Sequence, residues 1–400
     1  MGKPTIRFEG YTDDWEQRKF GDAFKEYSEK NHIELPALTI IQGGGTIKRE
    51  ESDRNLMYDK ANLSNYKMVQ KDDFIVHLRS FEGGLEKSSL DGIISPAYHT
   101  FHSNEADSRF YYPYFRSHEF IKHKLVPHVY GIRDGRSIDI DGMKTIEIPY
   151  PSMEEQRKIG DFLECLDHLI TLHQRKCEQT KKLKKYMLQK MFPQNGEKIP
   201  KIRFDGFTYD WEQRKLGDMG STFTGLSGKT KENFGHGDAQ FITYMNVFSN
   251  PVANLEMTEA VEIDAKQNCV KKGDVFFTTS SETPEEVGMS CVMPENKDNI
   301  YLNSFCFGYR PTEKFDLDYL AYVLRADSFR QEMTFLAQGI SRYNISKNKV
   351  MEVSIPIPNL EEQTMVGRYF SNLDHLITLH QRKCDELKKM KKYMLQNMFI

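Results

Sequence analysis

The chain has 400 residues, a formal net charge of −3, 38% hydrophobic residues and 28% charged residues. This length predicts two or three domains with sizeable cores. The apolar runs are far shorter than a membrane span and the N-terminus has no apolar signal core, so we expect a soluble, cytoplasmic protein. The slight excess of acid does not by itself indicate a nucleic-acid binder.

The first predicted element is a segment that occurs twice, which we call block A. Residues 4–22 and 200–218 are identical at 14 of 19 positions and share the run Asp-Trp-Glu-Gln-Arg-Lys. Each copy contains one of the two tryptophans of the chain, Trp15 and Trp211. We expect each tryptophan to pack a loop against its domain rather than to bind a ligand.

A different segment follows each copy of block A. Insert X is residues 23–147 and insert Y is residues 219–354, with no comparable run of identity between them. Insert X contains 17 Lys and Arg against 19 Asp and Glu, and insert Y contains 13 against 18. Any DNA affinity of the inserts therefore requires local clusters or help from a basic partner.

Both inserts place polar residues in the same layout: a strand ends in polar side chains, and a Gly-Ile loop follows roughly 50 to 60 residues later. Such side chains can bind base edges or phosphates. The candidates in insert X are Arg79, Ser80, Arg133, Arg136 and Ser137. The candidates in insert Y are Lys229, Thr278, Ser280, Ser281, Ser341, Arg342, Tyr343 and Asn344. Polar loops are common, so only the equivalent position in two different inserts favours DNA contact.

A second repeated segment, block B, follows each insert. Residues 148–192 and 355–399 are identical at 29 of 45 positions. Each copy begins with two prolines, which favour an extended entry, and continues with a predicted capping box, Ser152 with Glu155 or Asn359 with Glu362. About 40 residues with apolar side chains at three-and-four spacing then predict a helix roughly 60 Å long.

The second half of each predicted helix is strongly basic. We expect these lysines to contact a protein partner or the DNA backbone, and a solvated helix face is the alternative. Reversing the charge of the first cluster should then weaken assembly or DNA binding without changing which bases are read. The candidates are Lys181, Lys182, Lys184, Lys185, Lys388, Lys389, Lys391 and Lys392.

The two helices are predicted to pack antiparallel on each other within one chain and to create an internal pseudo-twofold axis. The alternatives are that each helix docks on its own insert or pairs with a second chain. The six segments are residues 1–22, 23–147, 148–192, 193–218, 219–354 and 355–400, which are block A, insert X, the first helix, a linker with block A, insert Y and the second helix.

Sequence motifs of common enzymes are missing from the chain. Gly228-Lys229-Thr230 is no phosphate-binding P-loop, because Phe223 stands where the first glycine of that motif belongs. No PD…ExK nuclease core and no NPPY- or DPPY-type tetrapeptide of amino-methyltransferases occurs. The six cysteines form no CxxC pair, so we expect buried, reduced thiols and no metal site.

The duplicated blocks resemble the specificity subunit of type I restriction–modification systems. The resemblance rests on PKIRFDGFTYDWEQRKLGD, on the IPxPxxEEQ entry to a long helix, and on the order A–X–B–A–Y–B. It implies mixed α/β target-recognition domains, each of which reads one half of a bipartite asymmetric DNA site. The long antiparallel helices would space these domains and dock two methyltransferase subunits, and restriction subunits with ATP-dependent translocation would complete the complex. The subunit itself would be non-catalytic, with S-adenosylmethionine, ATP and magnesium bound by its partners.

Two other classes of function remain open from the sequence. The chain could be a coiled-coil adaptor that binds proteins through inserts X and Y, or an enzyme with an unrecognised site such as a fused methyltransferase. Inserts of about 130 residues leave little room for a methyltransferase domain.

Overall fold

The computed structural model describes residues 3–52, 60–131, 136–194 and 196–399. The chain forms two units. Unit 1 consists of Met1–Gln174 with Arg382–Ile400, and unit 2 consists of Arg175–Gln381. Each unit therefore contains one block A, one insert, the first part of the long helix that follows this insert, and the last part of the other long helix.

The elements are short except for two helices of 38 residues. The strands up to the first long helix are β1 (Glu16–Lys19), β2 (Lys25–Tyr27), β3 (Leu38–Ile41), β4 (Gly45–Lys48), β5 (Lys67–Val69), β6 (Phe74–Val76), β7 (Glu86–Lys87), β8 (Gly92–Ile94), β9 (His99–His102), β10 (Val129–Tyr130), β11 (Ser137–Ile138) and β12 (Glu147–Tyr150). The helices are α1 (Phe20–Ala23), α2 (Ser80–Gly83), α3 (Ser108–Phe115), α4 (Ile140–Lys144) and the long α5 (Met153–Lys190).

The second half of the chain repeats this alternation. Its strands are β13 (Glu212–Lys215), β14 (Gly220–Thr224), β15 (Phe234–Ile242), β16 (Thr258–Val261), β17 (Val275–Thr278), β18 (Ser280–Ser281), β19 (Ser290–Val292), β20 (Ile300–Leu302), β21 (Cys306–Pro311), β22 (Tyr343–Asn344) and β23 (Ser354–Ile357). Its helices are α6 (Tyr244–Ser249), α7 (Leu317–Val323), α8 (Asp327–Leu336), α9 (Lys347–Met351) and the long α10 (Leu360–Asn397). Short 3-10 turns cover Arg49–Glu51, Lys60–Asn65, Val126–His128, Leu216–Asp218, Lys231–Asn233 and Pro284–Glu286, and Glu119–Leu125 is a π-helix.

Blocks A and B pair with each other and close each unit around its insert. β1 runs antiparallel to β12 with Glu16 opposite Tyr150, and β13 runs antiparallel to β23 with Glu212 opposite Ile357. The two registers are equivalent in the repeat. The prolines of block B are compatible with these strands because a two-stranded sheet leaves one edge of each strand unpaired.

A buried glutamate joins block A to the start of each long helix. The carboxylate of Glu155 accepts hydrogen bonds from the Arg7 guanidinium at 2.6 and 2.8 Å and from the Trp15 indole N–H at 3.1 Å. The equivalent contacts in unit 2 are Glu362 with Arg203 at 2.7 and 2.9 Å and with Trp211 at 3.1 Å. Both tryptophans are buried, so the Glu-Glu-Gln motif of block B anchors the Trp motif of block A.

This glutamate corrects the predicted capping box. The Ser152 hydroxyl accepts the Glu155 N–H at 3.3 Å and the Asn359 side chain accepts the Glu362 N–H at 2.9 Å, so the first half of each box forms. The glutamate carboxylate does not return to the cap because Arg and Trp of block A bind it instead.

The two inserts share a central sheet although their sequences differ. The antiparallel order is β2-β9-β6-β7 in unit 1 and β14-β21-β17-β19 in unit 2. Unit 1 packs α3 and aromatic side chains on this sheet, with Phe24 in edge contact with Phe74 and Tyr111. Insert Y also contains the three-stranded sheet β16-β15-β20, and a buried cluster that includes Ile242, Phe276 and Ile300 joins this sheet to the central sheet.

The long helices pair antiparallel within each unit. In unit 1 the Lys391 ammonium lies 2.5 Å from the Asp167 carboxylate, and Phe399 packs on Phe110 near the start of α5. In unit 2 the equivalent ion pair is Lys184 with Asp374 at 2.6 Å, and Phe192, the repeat equivalent of Phe399, stacks on Phe370 of α10. The predicted fold class, α/β recognition domains with two long antiparallel helices in a repeat, is confirmed.

Two expectations about buried residues were wrong. The apolar residues at three-and-four spacing in the long helices include Leu183 and Met390, which occupy the same repeat position, yet each is 44% exposed. Cys165 and Cys269 are exposed, whereas the other four thiols are buried and all six are free. Periodicity identifies one helix face, but the partner helix and insert cover only part of it.

Candidate nucleic-acid interface

A short hairpin brings together the two polar segments predicted in insert Y. Gln338 and Asn344 exchange backbone hydrogen bonds at 2.9 and 2.8 Å, which closes a tight loop between them. β22 then pairs antiparallel with β18, with Ser280 opposite Asn344 and Ser281 opposite Tyr343. Two segments that are more than 60 residues apart in sequence therefore form one structure.

The polar residues of this hairpin form two groups, buried residues that hold it in place and exposed residues that could contact a ligand. The Thr278 hydroxyl is buried and accepts the Met289 N–H at 2.9 Å, and the buried Ser281 hydroxyl lies 3.3 Å from the Glu286 carboxylate. Ser280 is buried as well. The residues that reach the surface are Ser341, Arg342 and Asn344, with Tyr343 half-buried. Thr278, Ser280 and Ser281 thus hold the hairpin, while the hairpin offers side chains to a ligand.

Tyr244 belongs to this surface although its sequence context gave no sign of it. Its phenol donates a hydrogen bond to the Ser280 carbonyl at 2.8 Å. Burial raises the pKa of Tyr244, and the positive charge of Arg342 partly opposes this effect. The Tyr244 ring is half-buried, and its phenol is tied to the segment that supports the hairpin.

Lys229 lies at a different place in insert Y. Its ammonium is 3.1 Å from the Asp264 carboxylate, and only 11% of its side chain is exposed. A backbone hydrogen bond from Lys266, together with Gln267 and Lys229, lowers the pKa of Asp264 to about 2. Lys229 is thus engaged in a local turn and lacks the free ammonium expected of a phosphate-binding lysine.

Insert X forms a related surface at the equivalent place. β10 pairs with β11, with Tyr130 opposite Ser137, and the Ser137 side chain is exposed. The Arg136 guanidinium lies 4.4 Å from the centre of the Phe81 ring. Both Arg79 and Arg136 lie 3.5 Å from the Glu82 carboxylate, so the two predicted segments of insert X also meet.

Two candidates of insert X differ from the others. Ser80 is buried and its hydroxyl accepts the His77 N–H at 2.9 Å, which stabilises the start of α2. Arg133 lies outside the described residues. The exposed set of insert X is therefore Arg79, Arg136 and Ser137.

The lysine candidates on the long helices also divide into two groups. Lys184 and Lys391 occupy the same repeat position and bind Asp374 and Asp167 across the helix pair. Lys181 lies 3.1 Å from Glu178 on its own helix. The lysines with exposed side chains are Lys181, Lys182, Lys185, Lys388, Lys389 and Lys392. Asp167 and Asp374, which also occupy one repeat position, thus supply the carboxylates that join the helices within each unit.

Comparison with known proteins agrees with this duplicated architecture. The type I restriction modification DNA specificity domain matches residues 12–182 and again residues 209–389. The chain belongs to this family. The two matched regions each contain the second part of a copy of block A, an insert and most of a long helix, which is the repeat derived above from the sequence.

Several relatives of this specificity-domain protein have been described. The type I restriction enzyme MjaVIII specificity subunit of Methanocaldococcus jannaschii is 25% identical over 270 residues, which cover 64% of this chain and 62% of that protein. The putative MjaX specificity subunit of the same organism is 25% identical over 279 residues, which cover 65% of this chain and 60% of that protein. The matched part thus spans about three-fifths of the length of these relatives.

Solved structures show the same fold. The type I S subunit from M. genitalium aligns with a TM-score of 0.58 and 15% identity over 100% of this chain and 99% of the other. The HsdS subunit from Thermoanaerobacter tengcongensis aligns with a TM-score of 0.51 and 19% identity over 98% of each chain. Among the described residues of this specificity-domain protein, no cluster of His, Cys, Asp or Glu is arranged to hold a metal ion. The same residues contain no helix with the length and apolar character that crossing a membrane requires.

The two recognition inserts of this specificity-domain protein differ in one ion pair at the start of a central strand. Buried Asp73 and Asp274 stand at equivalent turns before β6 and β17, and each accepts a backbone N–H from three residues earlier. Arg310 binds Asp274 through two hydrogen bonds of 2.7 and 2.6 Å. In unit 1 the partner is His102, whose Nδ1 lies 2.7 Å from Asp73. A permanent cation in one unit is thus replaced by a titratable one in the other.

We expect His102→Arg to remove part of the pH dependence of unit 1 stability. Burial lowers the pKa of His102, but hydrogen bonds with Asp73 and Asn104 outweigh burial and the net pKa is raised. A raised histidine pKa contributes stability that is complete below about pH 6.5 and is lost as the pH rises through the folded-state pKa. Urea unfolding between pH 6 and 9 should show this loss in the parent protein and a smaller loss in His102→Arg. The reciprocal Arg310→His change should introduce a similar loss in unit 2, and identical pH profiles for all three proteins would contradict the interpretation.

Proposed function

We propose that this protein is the DNA-recognition subunit of a type I restriction–modification complex, in which inserts X and Y each read one half of a bipartite, asymmetric site. The main support is that one scaffold is built twice and carries two different surfaces. The central sheets have the same strand order in both units. In each unit a hairpin also precedes the strand of block B, which is β12 in unit 1 and β23 in unit 2. At this place unit 1 presents Arg136 and Ser137, whereas unit 2 presents Tyr343 and Asn344.

The exposed side chains suit contact with base edges. Arginine can donate two hydrogen bonds to guanine and asparagine can pair with adenine in the major groove. Arg342 and Asn344 lie on one hairpin held by a buried strand, so their positions are largely fixed before binding. The inserts carry a net negative charge, which implies that basic partner subunits contribute to DNA affinity.

The chemistry of the complex is assigned to the partners. The proposal is that methyltransferase subunits bind S-adenosylmethionine, and that restriction subunits bind ATP and magnesium and cleave DNA in the cytoplasm. The present chain acts without catalysis, by positioning the DNA and by holding two methyltransferase subunits.

The long helices carry a duplicated surface that suits such docking. Leu183 and Tyr186 are exposed on α5, and their repeat equivalents Met390 and Tyr393 are exposed on α10. Exposed lysines lie beside both pairs, at Lys182 and Lys185 and at Lys389 and Lys392. A repeated apolar pair within a basic surface is expected to bind the same partner twice, through a surface that is apolar and acidic.

This surface predicts the stoichiometry of the complex. Tyr186→Ala should leave one methyltransferase subunit per chain, as should Tyr393→Ala, and the double variant should leave none at concentrations where the parent binds two. Removing a buried interface tyrosine typically costs about 2 kcal/mol or more, which is roughly thirtyfold in affinity. Light scattering with size-exclusion chromatography measures the outcome. Ala substitutions of the exposed Tyr209 serve as the control, and two bound subunits in the double variant would exclude this surface.

The length of the long helices supplies the main test of the proposed function. Equal insertions into α5 and α10 at equivalent positions should change the number of non-specific base pairs tolerated between the half-sites while both half-sites stay unchanged. Sequencing of methylated adenines in DNA modified by the complex reads out both quantities. A palindromic or continuous methylated sequence would contradict the proposal, and a complex that binds proteins but methylates no defined sequence would favour the adaptor interpretation.

A further inference from the structure

The apex of the insert Y hairpin is an isoleucine whose exposure the proposed function does not yet explain. Ile340 is 97% exposed, the largest value among the exposed large apolar side chains of the described residues. It belongs to none of the buried clusters described for unit 2. Its side chain therefore contributes little to the packing of the unit.

The hairpin holds Ile340 outward through a constrained backbone. Gly339 has a φ of +151°, and a Cβ at this position would lie 2.0 Å from the Arg342 carbonyl oxygen. Only glycine avoids this overlap. The Ile345 N–H donates to the Thr279 carbonyl at 3.0 Å, which ties the end of the hairpin to the segment around β18. The apex is thus a fixed projection rather than a loose loop.

The neighbours of Ile340 identify its ligand. A single exposed apolar side chain needs no explanation by itself. Ile340, however, is followed by exposed Ser341 and Arg342, and Asn344 closes the same hairpin. Arginine and asparagine pair best with base edges in the major groove, and the apolar group on those edges is the 5-methyl group of thymine.

We propose that Ile340 is a specificity-determining residue that contacts the 5-methyl group of a thymine in the half-site read by insert Y. This inference rests on the proposed function and adds one defined base to it. An apolar wedge between stacked bases is the other established use of such a side chain, but it is typical of the minor groove, where Arg342 and Asn344 would find few distinguishing groups.

Deoxyuridine tests the contact because it differs from thymine only by the missing methyl group. Each thymine of the insert Y half-site is replaced singly by deoxyuridine in a duplex, and methylation by the complete methyltransferase complex is measured. We expect one position at which the parent complex loses roughly three- to tenfold in methylation efficiency, the effect of burying about one methyl group. Ile340→Ala should show the same loss on thymine DNA and no further loss on the deoxyuridine duplex, because both changes remove one contact.

The control is Ile33→Ala, which truncates an isoleucine exposed in insert X and should keep the discrimination in the insert Y half-site. The inference is overturned if no thymine of that half-site is sensitive, or if the losses from Ile340→Ala and deoxyuridine add. Weaker binding of methyltransferase by Ile340→Ala in the absence of DNA would overturn it as well, since Ile340 would then contact a protein. Failure of the proposed function is a separate result, in which the parent complex methylates no defined sequence.

Discussion

Replacing Glu362 with alanine is expected to lower the free energy of unfolding of unit 2 by up to about 3–5 kcal/mol, because it leaves the largely buried Arg203 guanidinium without its carboxylate partner. The Glu362 side chain is 1% exposed and binds both Arg203 and Trp211. The same change at Glu155 removes the equivalent contacts with Arg7 and Trp15 in unit 1. These contacts join each block A to the start of a long helix. Their loss should therefore also weaken the pairing of β1 with β12 and of β13 with β23.

The preceding glutamate of each motif supplies a matched control. Glu154 and Glu361 are exposed in the first turn of the same helices. Their replacement by alanine should cost less than about 1 kcal/mol, because both lie in a solvent-exposed first turn and the ion pair of Glu154 with Lys158 is itself exposed. Chemical denaturation of the four single variants measures the difference. Equal losses of unfolding free energy at the exposed and buried glutamates would show that the contacts of the buried glutamate with Arg and Trp of block A do not stabilise the units.

Replacing Arg342 with alanine is expected to reduce methylation by about one to two decades and to relax one base of the half-site read by insert Y. The size follows from the roughly 1–3 kcal/mol of discrimination that a two-pronged arginine–guanine contact supplies. The half-site read by insert X should stay intact. Sequencing the methylated sites produced by the parent and variant complexes measures yield and specificity together.

The reciprocal variant Arg136→Ala tests the independence of the two surfaces. It should relax only the half-site of insert X, where Arg136 lies over Phe81. An arginine that merely binds a phosphate would weaken methylation about equally on all sequences and leave the motif unchanged. Unchanged yield and unchanged motif for Arg342→Ala would remove the hairpin from the interface.

The sequence by itself determined the repeated architecture. The repeated copies of block A and block B predict the same local structures, and β1 with β12 and β13 with β23 have equivalent registers. The long helices were also predictable, because about 40 residues without a breaker and with three-and-four apolar spacing favour a helix over any other structure. The two polar segments of insert Y were visible in the sequence, but the sequence did not predict that β18 and β22 would pair and bring them together.

Tertiary structure decided which polar side chains remain free for a ligand. Thr278, Ser280 and Ser80 looked like surface residues in sequence, yet all three are buried. Lys184 looked like its neighbours Lys182 and Lys185, but a carboxylate on the other helix binds it. Local patterns report the spacing of polar groups, whereas burial depends on segments that arrive from far along the chain.

Only the three-dimensional structure also showed that inserts X and Y contain the same sheet. Their strands pair in the same order although the sequences share no run of identity. Strand order is set by the packing of apolar faces between residues distant in sequence, and many different side chains can satisfy it. The duplication of blocks A and B is therefore visible in the amino-acid sequence, because the same residues make the same contacts in both copies. The duplication of the inserts is visible only in the folded structure, because different side chains build the same sheet and core.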